Sequence, residues 1–475
     1  MEILIPAVRA ALCDSDEKVC EAAGDAFDTL YKAAGGDVTS DIVPALLAEL
    51  ESNPNALDGL KQVLAKQPKI LPTVLPRLAA SPMNAFRARA LAALADVVGP
   101  ALHPHLQTLL DTLLPAMYSG DEEADAAAKD AAEAISLALD DRATHLLIGE
   151  LQRGVADLNA TIRAGSVCLA GMFCKGTDND MEDHISGLLS LCVGLFIDPD
   201  ERVIKAAWKA IGEVTGSVPK ENLPLYVRNM RDGIQDCVGR EKRKLRGTEL
   251  EGSDEVTLPG LCLPKALTPI LPIYLQGILQ QGQQADVREG AIEGLGELVE
   301  VTGEESLKPF VIQITGPLIR IIGDKFTWQV KAAILKTLGI IIRKGGKSLK
   351  PFLPQLQTTF IKCLHDGANT VRTRAANSLG LLMQLQPRVD PLVNDLLSGI
   401  KSTAGGVRIA MLLALRGVLS NAGQAISKPV LDKVGESVVE LLDDSDETMR
   451  ESAAKGLGVW AVHAQEDLLA QALQQ

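Results

Sequence analysis

The chain has 475 residues, a net charge of −14, 47% hydrophobic residues and only 3% aromatic residues. The negative charge argues against specific binding to nucleic acid, and no apolar run approaches the roughly 20 residues that a membrane helix needs. The 8 cysteines include no C-x-x-C pair, which favours reduced thiols in a cytosolic or nuclear protein over a disulfide framework.

The charge is distributed unevenly along the chain. Residues 1–200 carry 14 basic and 30 acidic side chains, whereas residues 301–400 carry 13 basic and 6 acidic ones. A basic segment within an acidic chain indicates a local site for an acidic partner. Chance variation in surface composition is the alternative explanation.

Residues 1–238 are predicted to form acidic, partly degenerate helical repeats. The stretch 121–139, acidic and then rich in alanine, is compatible with the second helix of a pair. A further helix is predicted over 223–238, as the first member of a pair whose partner is missing.

A long charged loop is predicted over 239–263, where it replaces or shortens a repeat helix. Loops of this length are uncommon and often functional. A solvated loop without a partner is the alternative, but its cations are candidate contacts for phosphate or an acidic protein. These cations are Arg240, Lys242, Arg243, Lys244 and Arg246.

Residues 264–475 show the regular repeat most clearly. The tetrapeptide LKPF at 307–310 returns at 349–352, an offset of 42 residues. Between the copies, two segments place apolar residues at helical spacing, and a turn over 323–327 joins them. The first apolar stripe comprises Val311, Ile314, Leu318 and Ile322, and the second comprises Val330, Ile334, Leu338 and Ile341.

Two further marks recur with this period. A proline stands near the start of the first helix of each pair, and an aliphatic residue followed by a cation opens the second helix, usually after an aspartate. These marks predict an all-α fold, an α-solenoid of about eleven helix pairs that stack side by side. The unit resembles the HEAT repeat, an armadillo-type element, and the resemblance implies a structural ladder in which each aspartate pairs with a cation of a neighbouring turn.

The sequence contains no pattern that predicts catalysis or a cofactor. The histidines form no metal-ligand set, and the Gly-Lys-Ser at 346–348 lacks the earlier glycine of a phosphate-binding loop. We therefore expect a non-enzymatic binding protein without cofactor or metal.

The amino-acid sequence of the central stretch carries a more specific family resemblance than the repeat pattern does. The segments ITGPLIRIIGD at 314–324, VKAA at 330–333 and LKPFLPQLQTTF at 349–360 resemble the general control nonderepressible translational activator. The similarity covers most of the chain, is densest over about 260–400, and corresponds to the C-terminal HEAT-repeat region of that family. The family activates the eukaryotic initiation-factor-two alpha kinase on ribosomes during amino-acid starvation.

The resemblance implies a binding function and a set of contact residues. In that family the C-terminal repeats bind the RWD domain of the kinase, which places the candidate RWD-binding region at about 260–400. Other RWD-domain proteins and the ribosome are further expected partners, and a ribosome-associated cytoplasmic location is expected. The candidate partner-binding residues are Arg320, Phe352, Gln313, Gly316 and Lys331.

Helical geometry gives independent support to one of these residues. Arg320 lies about 200° around the helix from Leu318, off the apolar stripe, and shares a face with Gln313 and Gly316. An ion pair between repeats is the alternative role for this arginine. For Phe352 the alternative is packing, because Phe310 holds the same place one repeat earlier.

Two other functions remain open at this point. One is a generic HEAT-repeat scaffold or transport receptor without a link to a kinase. The other is the HEAT portion of an ATPase translation factor, which the missing phosphate-binding loop argues against.

Overall fold

The computed structural model describes residues 3–53, 55–245, 256–323, 325–386, 388–403 and 405–464. Within these ranges the regular structure is entirely helical, and no strand occurs. The predicted all-α class is therefore confirmed. The chain divides into two compact units, the first ending at Ser217 and the second beginning at Val218.

The first unit is built from alternating first and second helices of successive repeats. Its odd-numbered helices are the first members of each pair and its even-numbered helices are the second members. The helices are α1 (Leu4–Leu12), α2 (Glu17–Ala34), α3 (Gly36–Glu49), α4 (Asn55–Lys66), α5 (Leu71–Leu78), α6 (Ala85–Val98), α7 (Leu106–Ala116), α8 (Glu122–Leu137), α9 (Asp141–Val155), α10 (Ala160–Gly176), α11 (Glu182–Gly194) and α12 (Glu201–Ser217).

The second unit continues the same alternation with one irregular repeat at its start. Its helices are α13 (Val227–Leu245), α14 (Leu271–Leu279), α15 (Ala285–Glu300), α16 (Glu304–Leu307), α17 (Val311–Ile321), α18 (Trp328–Gly345), α19 (Leu353–Cys363), α20 (Asn369–Leu382), α21 (Asp390–Ser402), α22 (Gly405–Ala422), α23 (Lys428–Glu440) and α24 (Glu447–Ala461). Short 3₁₀ turns precede several first helices.

Second helices pack against one another to form a layer in each unit. In the first unit the contacts run from α2 through α4, α6, α8 and α10 to α12. In the second unit they run from α13 through α15, α18, α20 and α22 to α24. Each second helix also packs on a first helix, so neither helix of a pair buries its apolar face alone.

The helix pair α17–α18 shows why the sequence specifies this packing. Val311, Ile314 and Leu318 are completely buried on α17, as the periodicity predicts. Ile321 rather than Ile322 completes this stripe, because the helix ends at Ile321. On α18 the predicted stripe from Val330 is also buried, and it belongs to a helix that is covered on almost every side.

Ion pairs between repeats form part of the predicted ladder, whereas Arg288 and Arg372 at equivalent positions donate to backbone carbonyls instead. Arg163 donates two hydrogen bonds to the Asp198 carboxylate, at 2.9 and 2.8 Å. The same link recurs between Lys331 and Asp366 at 2.9 Å and between Arg408 and Asp444 at 2.6 Å. In each case the cation of one second helix reaches the aspartate of the next turn, 35 or 36 residues on.

The predicted start of the loop over 239–263 is wrong, because the first residues of this range are helical. Helix α13 continues through residues 239–245, although its buried stripe ends at Cys237. Cations in the last turn of a helix are favoured by the negative end of the helix dipole, and Lys244 pairs with Glu241 at 2.6 Å within that turn. The helix therefore extends beyond its apolar face, and residues 246–255 lie outside the described residues.

Helix α13 also lies in a different layer from the predicted one. It packs against α15, a second helix, and Arg231 bonds to Glu297 and Glu293 of α15 at 2.5 and 3.2 Å. The short turn Lys220–Tyr226 packs against α14 in the place of a first helix. The helix predicted over 223–238 as a first helix without a partner is therefore a second helix, α13, and a shortened first helix precedes it.

Candidate partner-binding surface

Helix α17 carries the strongest candidate residues, and its local sequence determines how they are presented. A 3₁₀ turn at Lys308–Phe310 leads into the helix, and Pro317 lies inside it. Proline has no N–H, so the carbonyl of Gln313 loses its usual helical donor. The helix therefore offers an acceptor on its outer side, next to the candidate residues.

The exposed face of α17 is centred on Gly316, opposite the buried stripe. Ile312, Gln313 and Arg320 flank it at helical spacing. Among the described residues, no atom other than those of its chain neighbours and the nearby helix backbone lies within 4 Å of the position that a Cβ would occupy on Gly316, so the backbone there is open to a partner. We call these four residues the α17 face.

Arg320 is exposed in the last turn of α17. No described residue forms an ion pair or a hydrogen bond with its guanidinium; Asp324, four positions further on, lies outside the described residues. Among the described residues, the alternative of an ion pair between repeats finds no support for this arginine.

Ile312 was not singled out from the sequence, yet 58% of its surface is exposed. It stands beside Gly316 on the side away from Arg320, so the α17 face combines an apolar side chain with a cation. The signal that could have found it is its position one residue outside the apolar stripe, where a polar residue is usual.

Lys331 has a structural position that differs from the α17 face. It is buried, with 9% of its surface exposed, and its ammonium pairs with Asp366. Burial favours a raised pKa for Asp366, but the N–H of Ala368 and the ammonium of Lys331 outweigh it and hold the pKa below its usual range. The structure therefore gives Lys331 a role in the ladder, away from the exposed α17 face.

Phe352 ends a 3₁₀ turn, Gly346–Phe352, that contacts α17 and leads into α19. Its side chain is half-buried, whereas Phe310, its counterpart one repeat earlier, is 8% exposed. The two phenylalanines thus differ in burial although they hold the same place in the repeat.

The next first helix, α19, repeats the exposed pattern. With the 42-residue offset, Lys362 stands where α17 has Arg320, and it is exposed in the last turn of α19. Gln355 corresponds to Gln313 and is also exposed. Since α17 and α19 are in contact, the cationic edge continues across two repeats.

The cations predicted to contact phosphate or an acidic protein lie at the end of α13. Arg240, Lys242, Arg243 and Lys244 are exposed on its last turns, and Arg246 lies outside the described residues. Arg243 donates to the carbonyl of Gly239 at 3.0 Å. Their role in binding stays a prediction.

Two further features of the described ranges bear on chemistry. No group of three His, Cys, Asp or Glu side chains among the described residues is placed to hold a metal ion. None of the helices in the described ranges combines the length and the apolar character required to cross a bilayer.

Paired helices in two layers, linked by an aspartate–cation ladder, define a HEAT-type α-solenoid. Two family models, both described as "Stalled ribosome sensor GCN1-like, HEAT repeats", match residues 70–265 and 390–475, together more than half of the chain. The chain belongs to this GCN1-like HEAT-repeat family. The α17 face lies between the two matched ranges.

Curated relatives extend the similarity across the rest of the chain. "Protein ILITYHIA" of Arabidopsis thaliana is 45% identical over 426 residues, 90% of this chain. "Stalled ribosome sensor GCN1" of Homo sapiens is 36% identical over 100% of this chain. "eIF-2-alpha kinase activator GCN1" of Dictyostelium discoideum is 38% identical over 96% of it.

The chain spans only a small part of these relatives, 16% of the plant protein and 17% of the other two. Among solved structures, importin beta crystallised in a polyethylene glycol condition is similar with a TM-score of 0.38 and 15% identity, over 98% of this chain and 67% of that one. That resemblance is too remote to bear on function.

Proposed function

We propose that this chain is a non-enzymatic adaptor in translational control whose α17 face binds the RWD domain of the initiation-factor-two alpha kinase. By this contact it promotes activation of the kinase on ribosomes during amino-acid starvation. The observation that carries the proposal is the exposed Arg320, which stands beside open backbone at Gly316 and the exposed Ile312.

The chemistry of the α17 face suits a carboxylate-bearing partner. Arginine offers a planar fork of donors that pairs bidentately with a carboxylate. Ile312 supplies an apolar contact next to it, and arginine is among the residues that contribute most binding energy at the centre of protein interfaces. Lys362 of α19 extends the positive charge to the next repeat.

The relatives supply the biological setting of the proposal. Their names describe an eIF-2-alpha kinase activator and a stalled ribosome sensor. We extend these roles to this chain, with other RWD-domain proteins and the ribosome as further partners and with a ribosome-associated cytoplasmic location. Phe352 and Gln313 belong to the proposed contact, whereas Lys331 contributes by holding α18 in place.

The test is calorimetric titration of the full chain with the isolated RWD domain of the kinase. Arg320→Ala is expected to weaken binding by about 2–5 kcal/mol if the arginine pairs with a carboxylate at a desolvated interface. Lys336→Ala is the matched control, since Lys336 is an exposed cation of the same repeat on the second-helix layer. It should bind the RWD domain like the parent chain.

Two results would contradict the proposal. If the parent chain shows no measurable binding to the RWD domain, the proposed function is wrong and a generic scaffold is favoured. If Arg320→Ala binds the RWD domain as tightly as the parent chain, and both proteins show the same helicity and melting temperature, the assignment of the binding site to the α17 face is wrong.

A further inference from the structure

Over residues 330–345 the exposed positions of helix α18 are cations, whereas Trp328 in its first turn is an exposed aromatic residue. From residue 330 to residue 342 every position except Lys336 is buried, and Arg343 is the next exposed residue, seven positions later. Seven residues are close to two helical turns, so both cations lie on one narrow line. Arg343 pairs with Glu300 of α15 at 3.8 Å, whereas Lys336 has no ion-pair partner among the described residues.

The neighbouring second helices continue this charge. Arg374 on α20 and Arg416 on α22 are half-exposed, and Asn377 of α20 is exposed between them. We call Lys336, Arg374 and Arg416 the second-helix cation row. It contains one cation from each of three successive repeats.

Packing contacts join the three helices that carry these cations. The Ser378 hydroxyl of α20 donates to the carbonyl of Leu335 at 3.0 Å, which sets the turn of α20 that follows Arg374 beside Lys336. A Cβ on Gly380 would lie 2.8 Å from the backbone of Gly417, so α20 and α22 approach closely next to Arg416.

The charges of this row are not neutralised within the described residues. Two glutamates of the neighbouring helix α15, Glu293 and Glu297, bond to Arg231. No described residue forms an ion pair with any member of the row. The row thus carries three positive charges that have no ion-pair partner among the described residues.

We propose that the second-helix cation row binds an extended acidic segment of a partner protein. Packed helices lie about 8–10 Å apart, and a chain in the polyproline II conformation advances about 3.1 Å per residue with three residues per turn, so that every third side chain lies on one face. A partner with a carboxylate at every third residue therefore matches the row, one carboxylate to each repeat. Asn377 offers an amide for the peptide backbone between two of these contacts.

A nucleic acid fits this surface less well. The chain has a net charge of −14, which repels a polyanion at long range. Single-stranded nucleic acids also bind proteins by stacking bases on aromatic side chains. Helices α20 and α22 contain no aromatic residue, and α18 contains a single one, Trp328, eight positions before Lys336. A short acidic peptide segment carries less total charge and needs no stacking.

The test uses fluorescence anisotropy of labelled peptides with the full chain. The probe is a peptide of repeated Glu-Gly-Ser triplets. Its comparisons are a peptide of the same composition with the glutamates in one block, the Gln-Gly-Ser version, and an oligouridylate RNA of equal charge. Combined replacement of the row, Lys336→Gln with Arg374→Gln and Arg416→Gln, is expected to weaken binding of the triplet probe at least about tenfold.

Two controls separate this surface from the α17 face. Arg320→Ala should bind the triplet peptide like the parent chain, and the row variant should retain the RWD binding proposed above. The single exchange Lys336→Glu changes only one exposed side chain, so it tests the row if the combined variant does not fold. It is expected to weaken peptide binding about tenfold.

The proposal is overturned by any of four results. These are unchanged peptide binding by a folded row variant or by Lys336→Glu, equal binding of the triplet and block peptides, loss of peptide binding in Arg320→Ala, and tighter binding of the RNA than of the triplet peptide. Preference for the triplet peptide that depends on the row supports it.

Discussion

Lys331 and Asp366 stand 35 positions apart in the chain, yet their side chains form an ion pair of 2.9 Å that is largely shielded from solvent. The pair connects the start of α18 with the turn before α20. Arg163 with Asp198 and Arg408 with Asp444 repeat this connection in other repeats. Stacked second helices are thus linked by charge as well as by apolar contact.

Removal of one partner should destabilise the chain more than removal of both. Asp366→Ala leaves the Lys331 ammonium buried without its counter-ion, and breaking a buried pair in this way costs about 3–5 kcal/mol. The combined exchange Lys331→Met with Asp366→Leu removes both charges and should recover much of that loss. Urea denaturation of the three proteins gives the comparison, and Asp366→Ala with the stability of the parent chain would contradict it.

The same pair predicts how stability depends on pH. The pKa of Asp366 is lowered in the folded chain, because the N–H of Ala368 and the Lys331 ammonium outweigh the effect of burial. Its contribution is therefore fully present above the ordinary aspartate pKa of about 3.9 and is lost as the pH falls through the lower folded value.

Asp366→Asn removes this titration and serves as the control. The parent chain should exceed the variant in melting temperature above about pH 4, and the difference should shrink as the pH is lowered further. A difference that stays constant or grows on acidification would show that Asp366 is not stabilised as a carboxylate.

The repeat pattern predicted most of the fold because it is a physical requirement. Apolar residues at helical spacing, such as those of the α18 stripe from Val330, must be covered by another helix, and the period of the sequence sets which one. The ladder was predictable for the same reason, since Lys331 and Asp366 recur at matching places of successive repeats. The position of Arg320 off the stripe predicted its exposure.

Features that lack periodicity were not predictable. Residues 239–245 carry no apolar stripe, and their helix continues because cations and a local ion pair stabilise its end. Likewise, the exposure of Ile312 depends on which neighbours cover α17, and the sequence states only that the residue is apolar. Whether α13 lies among the first or the second helices is determined by its tertiary contact with α15, which the sequence pattern does not state.

Substitutions at Gly316 are expected to change RWD binding without lowering the stability of the chain. Among the described residues, the Cβ of an alanine there meets no atom within 4 Å other than those of its chain neighbours and the nearby helix backbone, and alanine is about 1 kcal/mol better than glycine inside a helix. Gly316→Ala should therefore be as stable as the parent chain or more stable. Gly316→Phe should also fold, but its ring fills the open backbone and should abolish RWD binding on the α17 face.

Gly380→Ala is the matched control for this pair, because its Cβ would meet the Gly417 backbone at 2.8 Å. That contact between α20 and α22 overpacks the layer and should cost about 1–3 kcal/mol. Melting curves and RWD titration measure both properties, and a destabilised Gly316→Ala protein would show that the α17 face is covered.

Phe310 and Phe352 test whether equal places in the repeat have equal roles. Phe310 is 8% exposed, so Phe310→Ala should cost about 3–5 kcal/mol, the usual range for a buried phenylalanine. Phe352 is half-buried at the turn that contacts α17. Its replacement by alanine should therefore cost less stability, because it removes less buried surface, and should weaken RWD binding. Thermal unfolding and calorimetric titration of both variants give the answer: a Phe352→Ala protein with parental RWD affinity, or one as unstable as Phe310→Ala, would assign Phe352 to packing alone.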